Sequence, residues 1–301
     1  MEWKDVPRRS YYEKYERVEV KQDYNWYEVY HLPGNVYAIA EPQHFQEVNF
    51  FLIPGKEKAM LLDTGMGFFS PQPLLRELYD GEILAINSHF HFDHIGSNYL
   101  FQPVYGWEDS FVDQVAKYGL ESADMGNQAD ESMFKSGYPA GLDMKNFRIR
   151  PYQLIPVKDG QRFSLGEREL EAIHAPGHSG DSLVLYDREN EILFTGDTFY
   201  LGALYTHFDC AQFGRSDIIA YRDTLRRLYE RITPKTKLYC SHNDFIAPAS
   251  KLKEAAEIMT EIINSAGESS EAVNEGHRYL QKNSVLEERK GEGFSVIYSK
   301  S

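Results

Sequence analysis

The chain has 301 residues, 42% of them hydrophobic, a formal net charge of −14 and two cysteines, Cys210 and Cys240. That length and apolar content suffice for a large core, and two cysteines cannot build a disulfide framework, which fits a reducing, cytoplasmic setting. The carboxylate excess repels phosphate backbones and anionic lipid, so nucleic acid and membranes are excluded as expected partners. No run is apolar for long enough to span a bilayer, and no apolar leader opens the sequence.

Residues 1–25 are charged and Tyr-rich without a period and read as a surface-docked arm. From Trp26 short β-type runs appear at 27–32, 36–40, 48–53 and 59–62, separated by Pro-Gly-Asn, Glu-Pro-Gln-His and Pro-Gly-Lys-Glu turns. The fourth run ends in Leu61-Leu62-Asp63-Thr64-Gly65-Met66-Gly67. A strand followed by GxG invites a dinucleotide-binding reading, but position 70 is Ser where a third glycine is needed, so these glycines are expected only to turn the chain. A short helix is predicted over 71–79 from the stripe Leu74, Leu75 and Leu78 with Pro71 in the first turn. A strand at 83–86 completes a βαβ unit, which predicts parallel neighbours.

That strand runs into Ser88-His89-Phe90-His91-Phe92-Asp93-His94-Ile95-Gly96-Ser97. Open α/β sheets place ligands where strands end, and imidazole nitrogen with carboxylate oxygen suits zinc or iron. In an extended chain His89, His91 and Asp93 point one way and His94 another, an arrangement better suited to two metals than to one. A single His-x-His pair could be mere packing. Four ligand-type residues within six positions, in a chain with ten histidines, point to metal binding.

Helices are predicted from 98 and over 107–118, with a strand at 104–105 between them. Residues 119–150 are rich in Gly, Ser, Asp, Asn and Pro, with scattered Met and aromatic residues; such a segment is either a lid over an apolar substrate portion or an insert docked on the core. A hairpin is expected at 162–165 and 169–174 across Gly166. The turn Pro176-Gly177-His178-Ser179 follows, then strands at 183–186 and 192–195, the second ending in Gly196-Asp197-Thr198. Ser216 is the expected cap of a helix with Ile218, Ile219, Leu225, Leu228 and Ile232 on one face. A strand at 237–240 leads to Ser241-His242-Asn243, an amphipathic helix to 251–263, and a closing hairpin to 285–298. Cys240 is expected to face the core. No repeat or domain linker is visible, so 1–301 reads as one domain with an N-terminal arm (1–25), a lid-like insert (119–150) and a C-terminal helix plus hairpin (250–301).

His178, Asp197 and His242 each stand at a strand end or in the turn after one, as the 89–94 cluster does. Singly, each could be a turn or cap residue; with the cluster they make a binuclear site the simpler account.

His-Phe-His-Phe-Asp-His at 89–94, preceded by Leu-Leu-Asp-Thr-Gly at 61–65 and followed by Pro-Gly-His-Ser, Phe-Thr-Gly-Asp-Thr at 194–198 and Ser-His-Asn, resembles the HxHxDH motif set of the metallo-β-lactamase superfamily over about residues 47–245. The resemblance implies an α/β (α+β) fold, a four-layer αββα sandwich of two mixed sheets flanked by helices. It further implies that His89, His91 and His178 hold one metal, that Asp93, His94 and His242 hold the other, and that Asp197 bridges them. Asp63 would orient the ligand loop from behind. Two Zn²⁺ ions are the implied cofactors, with Fe or Mn as substitutes, and Asp93, Asp197 and Tyr200 the implied catalytic residues.

Departures within the superfamily narrow the reaction. The second His is not the Glu of flavodiiron oxygen reductases, Asp197 stands where lactam-cleaving members carry a metal-binding cysteine, and residues 246–301 are short for the C-terminal domain of glyoxalase II. The acidic balance argues against the RNA-processing branch. The stretch from Gly196 to Tyr205 is similar to one in acyl-CoA thioesterase-like members, and Tyr200 matches by spacing a Tyr that aids the carbonyl in lactone-cleaving members; a buried core Tyr is the alternative. The expected activity is hydrolysis of an ester, thioester (acyl-CoA or acyl-glutathione) or lactone, with a mononuclear iron oxidoreductase of the persulfide dioxygenase type, or a phosphodiesterase, as alternatives. The partner is a small-molecule substrate, with a homodimer left open. His44, Tyr200 and His207 are the substrate-binding candidates, His44 being expected at the surface of its turn.

Overall fold

The computed structural model describes residues 9–22, 24–210, 212–265 and 286–299. The first eight residues of the arm and Val285 of the closing hairpin lie outside them. The chain divides into two compact units, Met1–Val157 with Arg162–Leu170, and Lys158–Gln161 with Glu171–Ser301.

The first unit is built on an eight-stranded sheet: β1 (Glu16–Val18), β2 (Glu28–Leu32), β3 (Val36–Ala40), β4 (Asn49–Pro54), β5 (Lys58–Leu62), β6 (Glu82–Ile86), β7 (Val104–Gly106) and β8 (Leu154–Pro156), in that spatial order. The first five pair antiparallel. From β5 onward the pairing is parallel, as the crossover through α1 (Gln72–Leu78) requires. Every residue of β4 is buried, which is why that strand reads as a continuous apolar run rather than an alternation. The arm contributes more than surface: β1 adds an edge strand, and buried Tyr12 stacks on Tyr30 at 5.3 Å.

Helix α3 (Ser110–Tyr118) starts three residues after the predicted start because the Asp109 side chain accepts from the Phe111 N–H and caps it there. The 119–150 segment is closed at its ends by a short ladder of Leu120–Glu121 against Arg148–Ile149. Met125, Phe134 and Met144 are buried, and the Phe134 ring sits 5.2 Å from Phe68 and 6.1 Å from Trp26. The insert is thus docked on its unit through its apolar side chains.

The second unit carries a sheet in the order β9 (Glu169–His174), β10 (Leu183–Asp187), β11 (Ile192–Gly196), β13 (Lys237–Cys240), β14 (Ile246–Pro248). Only the β11–β13 pair is parallel, the connection between them passing through β12 (Ala203–Tyr205) and α4 (Ile218–Arg231). Helix α5 (Ser250–Asn264) follows, and β15 (Leu286–Lys290) and β16 (Ser295–Ser299) form the closing hairpin, with β16 also pairing parallel to β12. The cap of α4 is Asp217, whose carboxylate accepts from Ile219 N and Ala220 N; Ser216 instead donates to the His178 carbonyl. Ile219 lies outside the buried face, 52% exposed, because Tyr221, Thr224, Leu225 and Leu228 form it. Among the described residues no helix is long and apolar enough to cross a membrane.

Candidate metal centre

Strand β6 ends at Ile86, and the chain then passes His89 and an extended His91 before closing a single helical turn, α2 (Phe92–Ile95). Asp93 and His94 therefore sit on a helical turn, not on the extended alternation expected of Asp93. The reason lies in the loop after β5. Thr64 N donates to the His94 carbonyl at 2.8 Å and Gly96 N to the Gly65 carbonyl at 2.8 Å, so residues 63–67 lace the turn into its helical form. The two backbones approach so closely that a Cβ on Gly67 would lie 2.3 Å from the Gly96 carbonyl oxygen, and Gly67 has φ +77°. Gly67→Ala should lower the unfolding free energy by about 1–3 kcal/mol, read from the denaturant midpoint. The two glycines of the loop do turn the chain, as expected.

The buried side chains of this cluster form an ordered relay. Asp63, itself at φ +64°, accepts at Oδ1 from Ser88 N (2.7 Å) and at Oδ2 from both Ser88 Oγ (2.8 Å) and His94 Nδ1 (2.8 Å). A carboxylate has no proton to give here, so His94 carries its hydrogen on Nδ1. Ser88 has spent its one hydroxyl proton on Asp63, and so the 3.0 Å contact of Ser88 Oγ with His89 Nδ1 makes His89 the donor. Both imidazoles thereby present Nε2, the pattern of a metal-binding histidine whose other nitrogen is tied to a fixed acceptor. The His89 ring lies 4.2 Å from His94 and 4.4 Å from His91, and Asp93 Oδ2 is 3.8 Å from His94 Nε2.

Behind this relay stands a second one that the sequence does not announce. Thr64 Oγ1 donates to Asn98 Oδ1 (2.9 Å), and Asn87 and Asn98 exchange amide hydrogen bonds (2.8 and 3.1 Å), while Asn87 Nδ2 reaches the His94 carbonyl. Glu41, fully buried at the end of β3, accepts from Met66 N at 2.8 Å and from Trp26 Nε1.

In the second unit three donors form a cluster of their own. Asp197 follows β11, with Oδ2 at 3.5 Å from His178 Nε2 and Oδ1 at 3.1 Å from His242 Nε2. His178 Nδ1 faces the Tyr205 carbonyl at 3.3 Å, which puts its hydrogen on Nδ1 and its Nε2 toward Asp197. Cys240 is buried in the core, where desolvation pushes its thiol up to about 12, so it is no thiolate donor. Both clusters thus offer only imidazole and carboxylate donors, with His89, His94 and His178 in the tautomer that leaves Nε2 for coordination: a set that fits a borderline divalent cation such as zinc or iron.

The substrate-binding candidates are placed unevenly. The Tyr200 ring lies 4.9 Å from His242, and its hydroxyl donates to the Ala203 carbonyl. His207 is buried beside Tyr205 and Phe208, and Phe208 is 5.4 Å from His178. His44 is not at the surface: it is fully buried between Phe68 and Phe134, its Nε2 3.0 Å from the Gln128 carbonyl, and burial lowers its pKa to about 4. The insert covers it, since Phe45 N donates to the Met133 carbonyl and Lys135 N to that of Gln43.

Residues 45–236 match the metallo-beta-lactamase superfamily. The protein of Homo sapiens called acyl-coenzyme A thioesterase MBLAC2 is 30% identical over 231 residues, covering 69% of this chain and 77% of that one. A hydroxyacylglutathione hydrolase of Synechococcus sp. (strain JA-3-3Ab) is 26% identical over 174 residues, covering 57% and 54%. The crystal structure of a metallo-beta-lactamase family protein from Thermus thermophilus superposes with a TM-score of 0.52 at 19% identity, covering 78% of this chain and 81% of that one, a likeness of fold. Since the family match takes in more than half of the chain and contains the His89–Asp63 relay and two of the three donors of the second cluster, the chain belongs to the metallo-β-lactamase superfamily and has its mixed α/β fold.

Proposed function

We propose that the two donor clusters together hold a pair of divalent cations, zinc first among them, and that the protein hydrolyses an acyl thioester of a small carrier thiol. His89, His91 and His178 would hold one cation, Asp93, His94 and His242 the other, with Asp197 shared. The observation that carries this reading is the tautomer pattern: His89, His94 and His178 each donate Nδ1–H to a fixed acceptor, leaving three buried Nε2 atoms as donors. Two cations at such a site would polarise the scissile carbonyl and bring the pKa of a water from about 15.7 toward 7. The chain's own part is to hold the imidazoles in one tautomer, to keep the donors buried, and to offer the Asp93 and Asp197 carboxylates as acceptors for a water proton.

The substrate class is supported by two relatives whose names specify thioesters, one of coenzyme A and one of glutathione. A thiolate leaving group, with a pKa of about 8.5, departs without a strong general acid, which suits a centre beside which the Tyr200 hydroxyl already donates to the Ala203 carbonyl. The test is elemental analysis of the purified protein together with a panel of acyl-CoA, acyl-glutathione, lactone and phosphodiester substrates. About two cations per chain are expected, with thioester turnover that a chelator abolishes and added zinc restores. Full loading with no thioester turnover would remove the substrate class; one iron per chain with oxygen consumption would replace hydrolysis by the oxidoreductase reading.

A further inference from the structure

Helix α4 grips two of the three ligand-bearing loops of the second unit, those of His178 and Asp197, from one side. Three hydrogen bonds hold the Pro176-Gly177-His178 turn: Thr224 Oγ1 to the Pro176 carbonyl (2.8 Å), Asp217 N to that of Gly177 (2.8 Å) and Ser216 Oγ to that of His178 (2.6 Å). The turn lies directly on the helix, for a Cβ at Gly177 would sit 2.3 Å from the Cα of Tyr221. From the same residue, the Tyr221 hydroxyl reaches the other loop and donates to two successive carbonyls, Asp197 (2.7 Å) and Thr198 (2.9 Å). Tyr221 is fully buried, and its ring belongs to the core with Leu225, Leu228 and Phe199. Burial, with the Asp197 charge adding to it, raises the phenol well above its usual range, so the hydroxyl stays a donor.

We infer that Tyr221 is a positioning residue: its hydroxyl fixes the two carbonyls that flank Thr198, that of Asp197 and that of Thr198 itself, and so sets the Asp197 carboxylate between His178 and His242. The inference rests on the metal-binding reading above and extends it to a residue that coordinates nothing. The loop needs such a fixture. Gly196 stands at φ +50° and the β11–β13 register shifts between Phe194 and Gly196, so ladder pairing has become irregular just before the carboxylate is presented. With its two carbonyls released, the Asp197 backbone can rotate, and a carboxylate displaced by a fraction of an ångström no longer meets both imidazoles' Nε2 atoms.

The test is Tyr221→Phe, which keeps the ring and its packing and removes one oxygen, read by cation affinity in competition with a chromogenic chelator and by the absorption spectrum of the cobalt-loaded protein. Wild type is expected to bind about two cations. Tyr221→Phe should bind the weaker one 10–100-fold less tightly and shift the cobalt bands, while the metal-free protein melts within a few degrees of wild type. A double-mutant cycle with Asp197→Asn separates positioning from general support: if Tyr221 acts through Asp197, its effect on affinity disappears in the Asp197→Asn background. Unchanged affinity and spectrum in Tyr221→Phe, or a loss that adds fully to that of Asp197→Asn, overturns the inference alone. A wild-type protein that takes up no cation overturns it together with the function proposed above.

Discussion

Asp63→Asn should weaken cation binding by about 100-fold while leaving the fold in place. The two side chains have the same shape, so the effect comes from hydrogen positions. Asp63 accepts three hydrogen bonds: one from Ser88 N at Oδ1, and two, from Ser88 Oγ and His94 Nδ1, at Oδ2. An asparagine can accept at only one of these atoms. The Ser88 N–H cannot turn round, so the amide oxygen is held there and the NH₂ group takes the Oδ2 position. It then faces His94 Nδ1 and demands a lone pair, which drives the His94 proton to Nε2. It also donates to Ser88 Oγ, whose own proton is freed to point at His89 Nδ1 and drives that ring to the same tautomer. Two of the donors in the first unit thus end with a hydrogen on the atom needed for coordination. The effect parallels a triad aspartate replaced by asparagine, where geometry survives and the tautomer does not. Cation affinity by chelator competition reads the loss, and nitrogen-15 NMR of the metal-free protein reads the tautomers. Retention of Nδ1–H on His94 in the variant would sink this account.

The parts of this molecule that the sequence discloses are those in which local pattern and final environment agree. Strands β2 to β6 were legible because apolar runs are bounded by Pro- and Gly-containing turns, and the parallel β5–α1–β6 unit because helix and strand periods alternate. The ligands were legible because imidazole and carboxylate at strand ends serve little else in such density. What escaped was set by tertiary contact. The helical turn at Asp93 and His94 depends on hydrogen bonds from Thr64 and Gly96, the first of them thirty positions away in the chain. Asp217 displaced Ser216 as helix cap because Ser216 is engaged by the His178 carbonyl. His44 and Glu41 both fall in what reads as a polar turn, Glu-Pro-Gln-His, yet both are fully buried, because the insert packs over one and the Trp26 indole closes on the other. Composition marks such residues as surface, and only the packed partner reverses the assignment.

Glu41 gives the largest expected effect on stability, and its sign runs against the usual carboxylate. Most native carboxylates have depressed pKa values and stabilise as pH rises. Glu41 is the reverse: desolvation raises it from 4.5 to about 8, and the hydrogen bonds from Met66 N and Trp26 Nε1 offset only part of that. Its folded-state pKa thus lies above the unfolded one, the native state binds more protons over that interval, and stability falls as pH is raised through it. The contribution is fully present below about 4.5, fades through the neutral range and is gone once pH passes about 8. At about 1.4 kcal/mol per unit the interval corresponds to roughly 5 kcal/mol, an order-of-magnitude figure for a group with no solvent exposure. Glu41→Gln removes the titration while keeping a carbonyl oxygen for the Met66 N–H. Denaturant midpoints of the metal-free proteins at several pH values between 4.5 and 9 should therefore converge: the variant starts less stable in acid and loses less on the way to alkaline pH. The other carboxylates and imidazoles titrate in both proteins, so the difference between the two curves isolates Glu41. Two parallel curves would show that its ionisation is not linked to folding and that Met66 and Trp26 solvate the carboxylate as well as water does.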